Sequence, residues 1–183
     1  ILEVNSETDF VARNQKFQDF VKSIASVSFG AGADIEKLKA QKYPKSAITV
    51  DEELKNQIGI IGENINIRRV DNVSAKNGVV ISYVHNAVAP NLGKIAVLVA
   101  LESAGDKTKL EEFGRQIAMH IAAAKPDALN VEAVDPSKLN REIEILKEQA
   151  RASGKPDNII EKMMEGRVRK YYEEVVLLEQ NFV

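Results

Sequence analysis

From Pro136 onward the chain loses every alternating apolar pattern and carries one narrow seam instead. Leu139, Ile143, Leu146 and Ala150 follow the 4-3-4 spacing of a coiled-coil stripe. Gly154-Lys155-Pro156 interrupts the stripe as a stop followed by a restart, with Pro156 suited to a first helical turn. The stripe then resumes through Ile160, Met164, Val168, Tyr171, Val175 and Leu178. A helix with a single apolar stripe needs one partner to cover it. Two such helices joined by a tight turn satisfy each other as an antiparallel hairpin. That leaves roughly the first 135 residues to form the body from which the hairpin projects.

In that body the apolar period switches between two and 3.6. Leu2 and Val4 alternate in a short strand, Ile1 to Asn5. Ser6 then reads as a helix cap, with Asp9 three residues on as in a capping box. Phe10, Phe17, Phe20, Val21, Ile24 and Val27 recur at helical spacing, and Gly30-Ala31-Gly32 ends that helix. A short segment around Ile35–Leu38 follows. Val50 to Ile61 forms a second helix, with Leu54, Ile58 and Ile61 inward and Gly62 at its end. Glu63 to Val73 reads as a strand, Asn77-Gly78 as a tight turn, and Val79–Val84 and Lys94–Leu101 as two more strands about an Ala89–Leu92 loop. Strands so near in sequence pair most simply as antiparallel neighbours. Lys107 to Lys125 is amphipathic, with Leu110, Phe113, Ile117 and Ile121 on one stripe and Pro126 as its stop. The fold class expected is α+β.

Several classes of chemistry find no residues to carry them. The net charge is −2 with both signs mixed, which argues against a binder that works through nucleic-acid phosphates. There are no cysteines, so disulfides and thiolate metal sites are excluded. No apolar run approaches the roughly 20 residues that span a bilayer, and no signal peptide is visible. Ser153-Gly154-Lys155 resembles the end of a phosphate-binding loop, but Gln149 stands where the first glycine belongs and Pro156 replaces the Ser/Thr. Gly30-Ala31-Gly32 lacks the third glycine of a dinucleotide fingerprint. His85 and His120 have no partner at metal-ligand spacing on their own elements. The expectation is a protein that is no enzyme and holds no cofactor and no metal. The chain opens on Ile1 inside a strand and stops abruptly at Val183, so it reads as a piece of a longer protein.

Four stretches carry a family likeness: Glu3 to Ala12; Gly62-Glu63-Asn64-Ile65-Asn66-Ile67-Arg68-Arg69; Ile117-Ala118-Met119-His120-Ile121-Ala122-Ala123; and Ser153-Gly154-Lys155-Pro156 with Glu161 to Arg167. In this order and together, they resemble translation elongation factor Ts. The resemblance implies two small antiparallel-sheet-plus-helix subdomains and a protruding helical hairpin. Here these would be residues 1–76, residues 77–134 (completed by residues from 179 onward) and residues 135–178. The family's N-terminal helical domain would precede Ile1. The family implies a guanine nucleotide exchange factor whose partner is the GTPase elongation factor Tu, with no direct nucleic-acid or membrane partner, and homodimers in some members. It implies a bacterial cytoplasmic setting, or an organellar matrix if a targeting segment is missing. A different class, a structural or chaperone-like module acting through the hairpin, is the competing reading.

The same resemblance singles out Thr8, Asp9, Phe10 and Val11 as the run that intrudes near the partner's Mg²⁺ site and dislodges the ion. Phe10 would wedge, Asp9 would rearrange polar partners, and Thr8 and Val11 would hold the turn. Spacing alone gives a plainer reading, with Asp9 as a capping carboxylate and Phe10 as the first core residue of a helix. His85, at a strand end, either contacts the partner, as the family's matching histidine does, or stands exposed. His120 reads as a packed structural histidine. Arg68-Arg69 are either solvated strand charges or an interface patch, and Arg167, Arg169 and Lys170 either solvate the hairpin or meet an acidic partner surface.

Overall fold

A computed structural model describes residues 1–154 and 156–183. The chain is α+β: helices accompany two antiparallel two-stranded sheets among the described residues. It divides into two compact units, Ile1–Ala118 and Met119–Val183.

The first unit opens with β1 (Leu2–Ser6), α1 (Asp9–Ala12), α2 (Gln15–Ser28), α3 (Ile35–Ala40), α4 (Val50–Ile61) and β2 (Ile65–Val70). The single long helix expected after β1 is broken in two. Asn14 adopts extended geometry and its side chain accepts from the Lys16 N–H at 2.9 Å, capping a new helix. Phe17, Phe20 and Ile24 of α2 are buried with Leu38 of α3, Val50 of α4, and Ile65 and Ile67 of β2. The Phe20 ring stacks on Tyr43 at 6.0 Å. Helix α4 runs over the residues its pattern predicts because both ends are marked. Thr49 and Glu52 form a reciprocal capping box, and the bonds from the Thr49 backbone and hydroxyl hold the Glu52 carboxyl below its ordinary value. At the other end Gly62, at φ +78°, turns the chain left-handed and donates to the Ile58 carbonyl.

β2 pairs with β1, from Leu2 opposite Val70 to Ser6 opposite Ile65, with a bulge at Glu3/Val4. It is shorter than the Glu63–Val73 span expected, and it does not pair with the next strand. Asn77-Gly78 is therefore not a hairpin turn. Gly78 begins β3 (Gly78–Ala89), packed so closely on β4 (Leu92–Glu102) that a Cβ would lie 1.8 Å from the Leu101 carbonyl oxygen. Close backbone approach, rather than turn geometry, calls for glycine there. The Ala89–Leu92 loop is likewise tighter than expected. Ala89 and Leu92 are themselves paired, and Pro90-Asn91 makes the turn with Asn91 at φ +62°.

Helix α5 (Lys107–Ala124) follows. Its buried residues in this unit are Gly114 and Ala118, whereas Phe113, expected on the inward stripe, is exposed. The Gly114 backbone lies too near Ile81 and Leu101 for larger residues to face the β3–β4 sheet here.

In the second unit α6 (Pro136–Ala152) begins at Asp135, whose carboxylate accepts from Ser137, with Pro136 at the first helical position. It packs on α7 (Asp157–Val175), and Ala150 and Ile160 are buried. Gly154 turns at φ +72°, and Lys155 of the expected turn lies outside the described residues. Leu178, placed on the seam by its spacing, lies past the end of α7 and is exposed. Val176 takes the buried place instead, bridged to Ala128.

Candidate functional site

The corner between β1 and α1 is built by its own hydrogen bonds. Thr8, not Ser6, is the N-cap: its backbone is extended and its hydroxyl accepts from the Val11 N–H. Asp9 is thus the first helical residue and makes no capping box. Ser6 instead donates its hydroxyl to the Thr8 carbonyl at 3.1 Å. The reason is Glu63. Its carboxylate accepts from both the Thr8 hydroxyl, at 2.6 Å, and the Thr8 N–H, at 3.0 Å. Charged acceptors make the stronger bonds, so helix initiation falls at Thr8. In return Glu7 accepts from the Asn64 N–H at 3.2 Å. Two carboxylates clasp the chain entering α1 to the chain leaving α4.

The short helix α1 then divides its side chains sharply. Val11 is 8% exposed and belongs to the core, while Phe10, beside it, is 86% exposed. The reading of Phe10 as the first core residue is overturned. One helical step separates neighbours by about 100°, and Val11 takes the inward direction. Asp9 is also exposed, its carboxylate 3.1 Å from the Lys94 Nζ on β4. Thr8, Asp9, Phe10 and Val11 therefore comprise a pinned cap, an ion-paired acid, an outward aromatic ring and an inward anchor. An aromatic ring held in the open by a rigid corner suits insertion into another molecule.

His85 does not end a strand. It lies within β3, opposite Ile95, because pairing continues to Ala89. It is exposed, and its Nδ1 lies 3.0 Å from the Tyr83 hydroxyl. His120 is buried. The Val183 N–H donates to its Nδ1 at 3.2 Å, so Nε2 carries the hydrogen and donates to the Gln180 Oε1 at 3.0 Å, and the ring stacks on Phe182. Both ring nitrogens are occupied, as a structural histidine requires. Arg68 and Arg69 both pair with Glu3 at the β1 bulge. Arg167, Arg169 and Lys170 are exposed, with Arg169 paired to Glu173. No group of three or more His, Cys, Asp or Glu is placed to hold a metal among the described residues, and no described helix is long and apolar enough to cross a membrane.

The parts that Glu63, Glu7 and Lys94 play at this corner were not read from the sequence, because each acts on a partner more than fifty positions away. Lys94 meets Asp9 across 85 positions and left no local signal.

The model of the family described as elongation factor TS matches residues 7–183. The chain belongs to the elongation factor Ts family. It is 60% identical over 182 residues to elongation factor Ts of Rhodospirillum centenum, 56% over 183 residues to that of Parvibaculum lavamentivorans and 55% over 183 residues to that of Rhizobium etli. Each match covers the whole of this chain and 59% of the relative.

Proposed function

We propose that this elongation factor Ts family chain serves translation elongation in the bacterial cytoplasm as a guanine nucleotide exchange factor. Its partner is elongation factor Tu carrying GDP. The observation that carries the reading is the contrast within α1: Phe10 is open to solvent although the adjacent Val11 anchors the helix in the core. Phe10 differs from other exposed apolar side chains in standing on a corner pinned at Thr8 by Glu63, and a rigidly held aromatic ring is the type enriched at interface hot spots.

The mechanism follows from linkage. A protein that binds the nucleotide-free partner more tightly than the GDP-bound one weakens GDP by the same factor. It need not touch the nucleotide. Phe10 enters the partner as a rigid wedge, because its helix is capped at Thr8 and Thr8 is held by Glu63. Asp9 arrives alongside and competes for the polar groups that order the partner's Mg²⁺. Once the cation leaves, the phosphate charge it neutralised is exposed and GDP departs. His85, exposed on β3, is a second contact to the partner.

Release of fluorescent GDP from elongation factor Tu, followed after mixing with this chain, tests the reading. The chain accelerates release, and the Asp9→Ala, Phe10→Ala double variant does not. No acceleration by the unaltered chain, or full acceleration by a folded double variant, refutes it.

A further inference from the structure

Lys94 extends from a closely packed stretch of β4. Its neighbour Gly93 lies so close to β3 that a Cβ would meet the Val84 Cγ1 at 2.4 Å and the His85 carbonyl oxygen at 2.9 Å. The strand is thus held against β3 where the lysine begins, and the pairing of His85 with Ile95 fixes its register. From there the Lys94 Nζ reaches both Asp9 oxygens, at 3.1 and 3.3 Å. Asp9 has no other hydrogen bond from a side chain among the described residues. As the first residue of α1 it has its backbone fixed by the Thr8 cap while its carboxyl rotor is otherwise free.

We propose that Lys94 is a positioning residue, holding the Asp9 carboxylate in one orientation beside Phe10 until the partner's polar groups take it over. The inference rests on reading Asp9 and Phe10 as the exchange wedge. An acid whose orientation is already set meets its target with less to order on docking. The pair is exposed, Lys94 at 58% and Asp9 at 69%, so the contact is also weak enough to yield. Surface pairs of this kind carry an effect of roughly two- to five-fold, not orders of magnitude.

The test compares stimulated release of fluorescent GDP from elongation factor Tu by the whole chain and by Lys94→Met, Lys94→Arg, Asp9→Asn and the Lys94→Met, Asp9→Asn double variant. Lys94→Met is expected to lower the maximal stimulated rate roughly two- to five-fold, and Lys94→Arg to restore most of it. In the Asp9→Asn background Lys94→Met has no further effect, since a residue that acts only through Asp9 is coupled to it. A Lys94→Met loss of equal size in both backgrounds overturns the inference, because Lys94 then acts on the partner directly. A rate sensitive to Asp9→Asn but unmoved by Lys94→Met overturns this inference alone. A rate unmoved by Asp9→Asn overturns the wedge reading and this inference with it.

Discussion

Phe10 and Val11 are adjacent in sequence and opposite in environment, so substituting each separately should split binding from stability. Val11→Ala removes the bulk of a side chain that is 8% exposed. At about 0.8 kcal/mol per buried methylene-sized group, with a small cavity term, the loss is about 2 kcal/mol. For a chain of this length that lowers Tm by about 4 to 8 °C. Phe10→Ala removes a ring that is 86% exposed. Surface changes of this kind stay within about 0.5 kcal/mol, so Tm moves by no more than about 2 °C. Exchange responds in reverse order. An interface aromatic of this type is worth about 2 kcal/mol on the partner, roughly thirty-fold in the apparent second-order rate of GDP release. Val11→Ala, assayed well below its melting temperature, should retain most of that rate. Scanning calorimetry and stopped-flow release of fluorescent GDP, run on the same preparations, give both quantities. The reasoning fails if Phe10→Ala lowers Tm as much as Val11→Ala does, or if it leaves the release rate unchanged.

Three other perturbations test the frame. Glu63→Gln leaves one acceptor where Thr8 now uses two, and should cost about 1 kcal/mol while speeding amide hydrogen exchange at Thr8 and Val11; unchanged protection at both amides would contradict the clasp. Burial raises the Glu3 carboxyl, but hydrogen bonds from Arg69, Asn5 and Arg68 together with the Arg69 charge outweigh it and hold the group below its ordinary 4.5. The folded state therefore gains stability above that value and loses it as pH falls through the lowered one, so Glu3→Gln should shrink the stability difference between about pH 7 and about pH 3 by up to about 1 kcal/mol in urea melts. Gly114→Ala gains about 1 kcal/mol in helix propensity but drives a Cβ to 2.6 Å from the Ile81 Cγ1, so repacking of about 1 to 3 kcal/mol should leave a net loss in Tm.

Elements with local punctuation were legible in advance. The apolar period and Gly62 gave the bounds of α4, and the Thr49–Glu52 capping box marks the start they indicated. Pairing between β3 and β4 follows from their nearness in sequence. What failed was decided by distant groups. Ser6 and Asp9 make an acceptable capping pair on spacing alone, and only Glu63, 55 positions from Thr8, moves the cap. Phe113 has the right period for an inward stripe, yet the sheet approaches α5 so closely at Gly114 that small residues fill that face. At the candidate site the run Thr8 to Val11 was visible as a motif. Which of its side chains points outward was not, because a four-residue helix is too short to display a period.

The pairing of β1 with β2 has a consequence for biosynthesis. Leu2 meets Val70, so β1 has no partner until nearly seventy further residues have been made. Contacts of such separation form late, and an unpaired strand edge is exposed until they do. Helices α2 and α4 can form on the nascent chain beforehand, since their caps are local. The Thr8 cap bond to Val11 is local too, but the clasp that holds Thr8 is not, because Glu63 follows α4. The corner that carries Phe10 is thus clasped only after Glu63 has emerged, and a nascent chain stalled before Glu63 would carry Phe10 on an unclasped corner.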